Sequence, residues 1–215
     1  MNKMLITRPE HDPGTRYLSR WSERVIEEAR KKNFDVIDLH KEKAVRKEFE
    51  GRVNKIQPAF IVMNGHGDEN CVTGHDNEVL IQYGDNEALL HDRVTYAVSC
   101  DSAAVLGVEC VKKGNTTFIG YNKSFVFNFT AQHMRQPTQD QRAAQFLDAS
   151  NQVPISLLKG HTAQQASDRS KSLFRHAIRK ILPSITSDPF AREDAKDLLW
   201  DMNHQVCLGV QDAML

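Results

Sequence analysis

The sequence has no long hydrophobic run. Its longest uninterrupted apolar segment, Ala59 to Met63, is far shorter than the roughly 20 residues that a membrane-spanning helix needs. The first residues, MNKMLITRPEHD, contain no apolar stretch of the kind that marks a secretory signal. We therefore expect a cytoplasmic protein that does not associate with membranes.

Cysteine is scarce and a charge excess is absent. Four cysteines in 215 residues are too few for a disulfide framework, so we expect a reducing compartment or one reactive thiol among buried ones. Lys and Arg number 28, and Asp and Glu also number 28. A net charge of zero excludes a global electrostatic attraction to nucleic acid or to an anionic membrane.

Several motifs of common enzyme classes are also missing. No GxGxxG or P-loop pattern follows an apolar run, which argues against a nucleotide-binding doubly wound domain. No GxSxG pattern occurs, which argues against a serine hydrolase of the nucleophile-elbow type. We expect no cofactor.

What the chain does contain is an alternation of strand and helix patterns. A chain of 215 residues can bury one substantial core, and we find no repeat or linker. The sequence predicts a single domain, with an α/β core over residues 1–135 and a helical part over residues 136–215. Its predicted strands are Met4 to Thr7, Phe34 to Leu39, Ala59 to Met63, Val94 to Ser99 and Thr116 to Gly120. This rhythm favours a mainly parallel sheet.

Helix signals separate the strands and fill the second part. Apolar residues recur with helical spacing from Tyr17 to Lys32. In the second part, Thr162 and Gln165 form a capping-box pattern, and Asp188 followed by Pro189 predicts the start of a last helix that continues to Val206. We expect no strand after residue 136, which would put Cys207 in the last helix.

Two chemically active side chains follow two of the predicted strands. His66 lies in NGHG and Cys100 lies in SCDSA, and ligands bind beyond the carboxyl ends of the strands in open α/β sheets. A thiol beside an imidazole is the minimum for cysteine nucleophilic catalysis. A helix starting directly after Cys100 would lower the pKa of its thiol.

The two segments AFIVMNGHG and TYAVSCDSAAVLG resemble the caspase–hemoglobinase clan of cysteine peptidases. That clan includes caspases, metacaspases, legumain, clostripain, gingipains, separase and the CHAT domains, and LLKGHTAQQA resembles a helix start of CHAT-like and clostripain-like members. The resemblance implies a three-layer α/β/α sandwich with C-terminal helices and a cysteine endopeptidase activity. It implies Cys100 as nucleophile, His66 as acid and base, and the amides of Gly67 and Cys100 as an oxyanion hole.

Substrate preference is less clearly encoded. Metacaspases and clostripain carry an acidic residue two positions before the cysteine, where this chain has Val98. Asp68 and Asp101 would suit a basic residue before the scissile bond (P1), and we favour that preference. Arg8 or Arg16 would instead suit an acidic P1 residue.

The segment after the last predicted parallel strand is a second source of specificity. In the relatives, the region from Tyr121 to Thr130 lines the substrate cleft and can pair with an extended peptide. Phe125, Phe127 and Phe129 alternate there, and they form either a pocket wall or an ordinary buried face.

The resemblance also implies partners. We expect a protein or peptide substrate, an activating partner protein, and a role in a prokaryotic antiviral defence or regulated-death system. Two alternatives remain: an inactive interaction module of the same fold, and a zinc protein using His66, Cys71, His75 and Cys100. The spacing of that zinc set matches no compact motif, so we predict no metal site.

Overall fold

The computed structural model describes residues 2–215. Its strands are β1 (Lys3–Arg8), β2 (Asp35–His40), β3 (Phe60–Asn64), β4 (Cys71–Thr73), β5 (Val79–Gln82), β6 (Val94–Val98), β7 (Thr117–Tyr121) and β8 (Gln205–Gly209). Its helices are α1 (Pro13–Trp21), α2 (Glu23–Lys31), α3 (Arg46–Ile56), α4 (Leu106–Cys110), α5 (Gln141–Leu158), α6 (Ala163–Ile181) and α7 (Ala191–His204).

Six strands form the central sheet in the order β2-β1-β3-β6-β7-β8. The first five are parallel to their neighbours, and β8 is antiparallel to β7. The strands β3, β6 and β7 are buried along their whole length, as expected for apolar runs covered on both faces. The short strands β4 and β5 form a separate antiparallel hairpin.

Two apolar layers cover the two faces of the sheet. Alternate residues of one strand point to opposite faces, so Phe60 and Val62 contact the layer formed by α1, α2, α5 and α6, whereas Ile61 and Met63 contact the layer of α3, α4 and the hairpin. The result is a mixed α/β fold with a mostly parallel six-stranded sheet between helices. This confirms the predicted fold class.

The C-terminal part differs from the prediction at two points. Residues 205–209 form β8, an edge strand of the central sheet, so the expectation of no strand after residue 136 was wrong, and Cys207 lies in β8 rather than in a helix. The last helix begins at Ala191 and not directly after Asp188. The Asp188 side chain accepts the Phe190 amide and so closes a turn that precedes the helix. The predicted capping box of Thr162 and Gln165 is present at the start of α6.

The predicted helix from Tyr17 to Lys32 is in fact two helices. α1 ends at Trp21 and α2 begins at Glu23, with Ser22 between them. Across residues 2–215, no helix combines the length and the apolar character that crossing a membrane would require.

Candidate active site

His66 and Cys100 follow neighbouring parallel strands at the same distance. In the register of β3 and β6, Asn64 pairs with Val98. His66 lies two residues beyond Asn64, and Cys100 lies two residues beyond Val98. Parallel strands lie about 4.8 Å apart, so this register brings both residues to one edge of the sheet.

Backbone contacts hold the two segments together. The Gly65 amide donates to the Val98 carbonyl at 3.3 Å, and the Ser99 hydroxyl donates to the His66 carbonyl at 2.8 Å. That carbonyl also accepts the Thr73 amide at 2.9 Å. The loop of His66 is therefore held between β4 and the segment that leads to Cys100.

Glycine is required on both sides of His66 because other groups come close to the backbone. A Cβ on Gly65 would lie 2.0 Å from the carbonyl oxygen of Thr73, and a Cβ on Gly67 would lie 2.3 Å from Oγ of Ser99. Both distances are shorter than any van der Waals contact. The NGHG motif thus serves close packing of the loop.

The amides of Gly67 and Cys100 are available for a ligand. Neither N–H donates a hydrogen bond to another residue of the described chain, and both residues line the same cleft. Unpaired amides beside a cleft are candidate donors for an oxyanion hole.

Cys100 lies in a turn and not at a helix start. The helix α4 begins only at Leu106 and has five residues, so the expected helix dipole beside the sulfur is absent. Burial raises the pKa of the Cys100 thiol, and the nearby Asp101 and Asp201 carboxylates also raise it, against the lowering effect of Phe125 and Ser124. The expectation of a lowered thiol pKa was therefore wrong.

The His66 ring hydrogen-bonds a carboxylate that the sequence analysis did not assign to it. Its Nε2 lies 2.7 Å from Oδ2 of Asp12, while the Cys100 sulfur contacts the Phe125 carbonyl at 3.9 Å. Within residues 2–215, no hydrogen bond joins the side chains of His66 and Cys100. Since a carboxylate only accepts, Nε2 carries a proton, and in the neutral ring the lone pair lies on Nδ1.

Acidic side chains surround the nucleophile candidate. Cys100 opens into a cleft of about 410 Å³ that is lined by Gly67, Asp68, Glu69, Asn70, Cys100, Asp101 and Ser124. Asp101 has a left-handed backbone (φ 57°), and its carboxylate accepts a hydrogen bond from the Ser124 hydroxyl at 2.9 Å. Asp68 also accepts the amides of Asn70 and Cys71 within its loop. Glu69 and Ser124 were not singled out in the sequence, because no local pattern marks them.

Three predicted substrate-binding residues lie elsewhere. Arg8 is buried and pairs through two nitrogens with Asp38. Arg16 lines a different cavity, together with Glu10 and other charged residues. Tyr121 is fully buried, and its hydroxyl donates to Ser150. The structure therefore does not bring these three side chains to the Cys100 cleft.

The alternating phenylalanines belong to the apolar core. Phe125 packs on Tyr121 with ring centroids 4.6 Å apart, and Phe129 packs on Tyr17 at 4.7 Å. Phe127 contacts both phenylalanines. Phe125 is buried, whereas Phe127 and Phe129 are partly buried against the core, which favours the interpretation as an ordinary apolar face.

The zinc set considered from the sequence is not assembled. Among residues 2–215, the groups whose donor atoms approach within 4.8 Å of one another contain His11, Asp12 and His66, or His11, His75 and Asp76. Neither group contains Cys71 or Cys100. Within the described part of the chain, the candidate metal ligands near His66 are therefore His11 and Asp12 and include no cysteine.

Comparisons with known proteins support the fold. No protein-family model and no curated protein matches the sequence. Among solved structures, the chain is similar to the Arg specific cysteine proteinase gingipain R (TM-score 0.64, 11% identity, 100% of this chain and 47% of that chain). It is also similar to the complex of Porphyromonas gingivalis RgpB pro- and mature domains (TM-score 0.60, 10% identity, 100% and 48%). The chain spans about half the length of these neighbours. The chain therefore has the α/β fold of these gingipain structures.

Proposed function

We propose that the protein is a cysteine endopeptidase with Cys100 as nucleophile and His66 as its acid and base. The observation that carries this proposal is the register of β3 and β6, which sets His66 and Cys100 at equal distances beyond Asn64 and Val98. A thiol and an imidazole at one edge of a parallel sheet, next to unpaired amides, are the parts that acyl transfer needs.

The proton path follows from the His66 hydrogen bond. Because Asp12 holds the proton on Nε2, Nδ1 is the nitrogen that takes the proton of the Cys100 thiol. The thiolate then attacks the scissile carbonyl, and the resulting oxyanion accepts the Gly67 and Cys100 amides. His66 returns the proton to the leaving amine, and in the second half it takes a proton from the water that hydrolyses the thioester.

The carboxylates of the cleft support a preference for Arg or Lys at P1. Asp68, Glu69 and Asp101 line the same cavity as Cys100, whereas Arg8 and Arg16 lie outside it. A guanidinium binds carboxylates through two parallel hydrogen bonds. The gingipain R neighbour is described as Arg specific, which agrees with this proposal.

The test is a panel of fluorogenic peptides that differ only in P1, namely Arg, Lys, Asp, Asn and Leu. We expect cleavage after Arg and Lys, and no cleavage by Cys100→Ala. Cys71→Ala is the matched control, because Cys71 lies in β4 and outside the cleft, and it should retain activity. Retained activity in Cys100→Ala would refute the assignment, and preferred cleavage after Asp would refute the basic preference.

An inactive interaction module of the same fold is the second candidate. The raised thiol pKa and the separate hydrogen bonds of Cys100 and His66 favour it. These same features describe a resting enzyme that an activating partner would convert by moving His66 toward the thiol. A defence or regulated-death role and the partner itself remain predictions. Peptide cleavage by the purified protein, with or without added partner, separates the two candidates.

A further inference from the structure

Three imidazole rings meet beside the proposed active site. The rings of His11 and His66 have centroids 5.9 Å apart, and those of His11 and His75 have centroids 5.5 Å apart. The three residues come from different segments: the loop after β1, the loop after β3 and the turn after β4. Only the tertiary fold therefore brings them together.

One carboxylate oxygen connects two of these rings. Oδ2 of Asp12 lies 2.7 Å from Nε2 of His66 and 3.2 Å from Nε2 of His11. The other oxygen, Oδ1, accepts the Thr15 amide at the start of α1. The carboxylate is thus held in place through Oδ1, while Oδ2 faces two imidazole nitrogens.

These distances resemble those of a metal coordination sphere. Zinc bonds to nitrogen and oxygen are about 2.0–2.2 Å long, so two ligands of a tetrahedral site lie roughly 3.3 Å apart. The donor atoms of His11, Asp12 and His66 all lie within 4.8 Å of one another. Small side-chain movements would therefore make room for an ion.

His11 is mostly buried, and its Nε2 lies 3.2 Å from Oδ2 of Asp12 and 3.3 Å from Oδ1 of Asn77. Its side chain is 10% exposed, and its buried Nδ1 has no hydrogen-bond partner; the buried Nδ1 of His75 has none either. The half-exposed His66 gives an ion access from solvent to the donor atoms around Asp12.

We propose that His11, Asp12 and His66 bind one divalent transition-metal ion of the zinc type. Imidazole nitrogen with a single carboxylate suits Zn²⁺ or Co²⁺ better than Ca²⁺ or Mg²⁺, which prefer oxygen ligands. Three protein ligands leave one coordination position for water.

Such an ion would inhibit the peptidase, a consequence that rests on the proposed function. A metal on Nε2 of His66 uses the lone pair of that nitrogen, so the ring proton moves to Nδ1. Nδ1 then has no lone pair to accept the proton of Cys100. Binding would therefore hold the enzyme in an inactive state without touching the thiol.

Metal binding is measured first, by titrating the metal-free protein with Co²⁺ and following its visible absorption. We expect a tetrahedral spectrum that Zn²⁺ abolishes by competition and that Cys100→Ala retains unchanged. His11→Ala should weaken binding at least tenfold, since loss of even an outer-shell partner costs about 10–100-fold. If His11→Ala fails to fold, the half-exposed ligand His66 is replaced instead, and His66→Ala should weaken metal binding in the same way. His176→Ala, at an exposed position of α6, is the control and should bind normally.

Two spectroscopic results would overturn the site. A thiolate-to-metal charge-transfer band, or loss of binding in Cys100→Ala, would place the ion on the cysteine. Loss of binding in His75→Ala with normal binding in His66→Ala would place it at His11, His75 and Asp76, away from the proposed catalytic histidine.

Inhibition is measured separately, as peptide cleavage in buffered Zn²⁺ compared with cleavage in EDTA. The zinc concentration for half inhibition should match the binding constant, and each variant is compared with its own metal-free rate. Failure of the metal-free wild type to cleave any peptide would count against the proposed function alone, because the cobalt result does not depend on activity. Cleavage unaffected by saturating zinc would overturn the inhibitory role.

Discussion

Asp12 connects the start of a helix to the candidate catalytic imidazole. Its Oδ1 accepts the Thr15 amide at 2.8 Å, and its Oδ2 accepts Nε2–H of His66 at 2.7 Å. Burial by itself would raise the pKa of Asp12, but the bonds from Thr15 and His66 outweigh it, and the pKa lies below its usual value. A charged carboxylate held by a helix start therefore sets the orientation and the tautomer of His66.

Replacing this carboxylate by an amide should impair catalysis more than folding. Asp12→Asn keeps an oxygen for the Thr15 amide but no longer holds the proton on Nε2, so we expect kcat to fall by about 10²-fold or more. Its melting temperature should change little, whereas Asp12→Ala should also lose about 1 kcal/mol of capping energy. The activity and the melting temperature of both variants are measured in EDTA, so that metal binding at Asp12 does not contribute. An unchanged kcat in Asp12→Asn would show that Asp12 has no positioning role.

Thiol reactivity should follow the raised pKa of Cys100. A thiol with a pKa above its usual value of 9.0 is mainly protonated at neutral pH, and only the thiolate reacts. We expect alkylation by iodoacetamide to be slow at neutral pH and to accelerate as the pH rises past that value. Cys207 and Cys110 should react later still, since burial raises the pKa of their thiols to about 11 and about 12.

The alkylation rates are followed for each cysteine by peptide mass mapping of the folded protein. Fast alkylation of Cys100 that does not change between mildly acidic and neutral pH would contradict this prediction. It would mean that His66 already holds a thiolate in the resting protein.

Asp101 should contribute to a basic P1 preference. Asp101→Asn removes a charge from the cleft while keeping a residue type that tolerates the left-handed backbone (φ 57°). We expect the ratio of kcat/KM for Arg peptides to that for Leu peptides to fall about tenfold, which corresponds to about 1.4 kcal/mol. Asp212→Asn, at an exposed position near the C-terminus, is the charge-matched control. Equal ratios in both variants would remove Asp101 from substrate recognition.

The buried Asp201 should make stability depend on pH. Burial raises its pKa well above 3.8, one oxygen accepts the Val126 amide at 3.0 Å, and the other has no partner. The folded state therefore holds a proton that the unfolded state has lost, so the free energy of unfolding falls as the pH rises from 3.8 toward the folded-state pKa.

Asp201→Asn should remove that dependence and raise the free energy of unfolding at neutral pH by at least about 1 kcal/mol, because its oxygen can still accept the Val126 amide. Urea unfolding of both proteins at several pH values measures this. A variant that is less stable than the wild type at neutral pH would show that the charge of Asp201 stabilises the fold.

Gly67 should tolerate no side chain. The Cβ of alanine would lie 2.3 Å from Oγ of Ser99 and 2.4 Å from the carbonyl oxygen of Cys71. We expect Gly67→Ala to lower the free energy of unfolding by about 1–3 kcal/mol and to reduce activity by displacing the amide beside Cys100. The control is Gly51→Ala in α3, where a Cβ would meet no atom within 4 Å. This substitution should stabilise the helix by about 0.5–1 kcal/mol. Equal stability of the two variants would contradict the close packing at Gly67.

Local patterns in the sequence predicted the parallel strands of the sheet but not its antiparallel edge strand, β8. β3, β6 and β7 are apolar runs bounded by turn residues, and their burial on both faces follows from that composition. β8 was missed because it continues directly from α7, and its residues pair with residues of β7 that lie 84 to 92 positions away. The break at Ser22 was also missed, since the apolar spacing runs through it.

The sequence by itself determined the α/β class, the capping box of α6 and the two residues that follow β3 and β6. Each depends on neighbours within a few positions, where periodicity and turn chemistry act. Only the tertiary structure decided the surroundings of those two residues. Asp12 reaches His66 across 54 positions, Arg8 is buried against Asp38, and burial raises the pKa of Cys100. Hydrogen-bond partners and desolvation arise from distant segments that meet when the sheet assembles, and no local pattern encodes them.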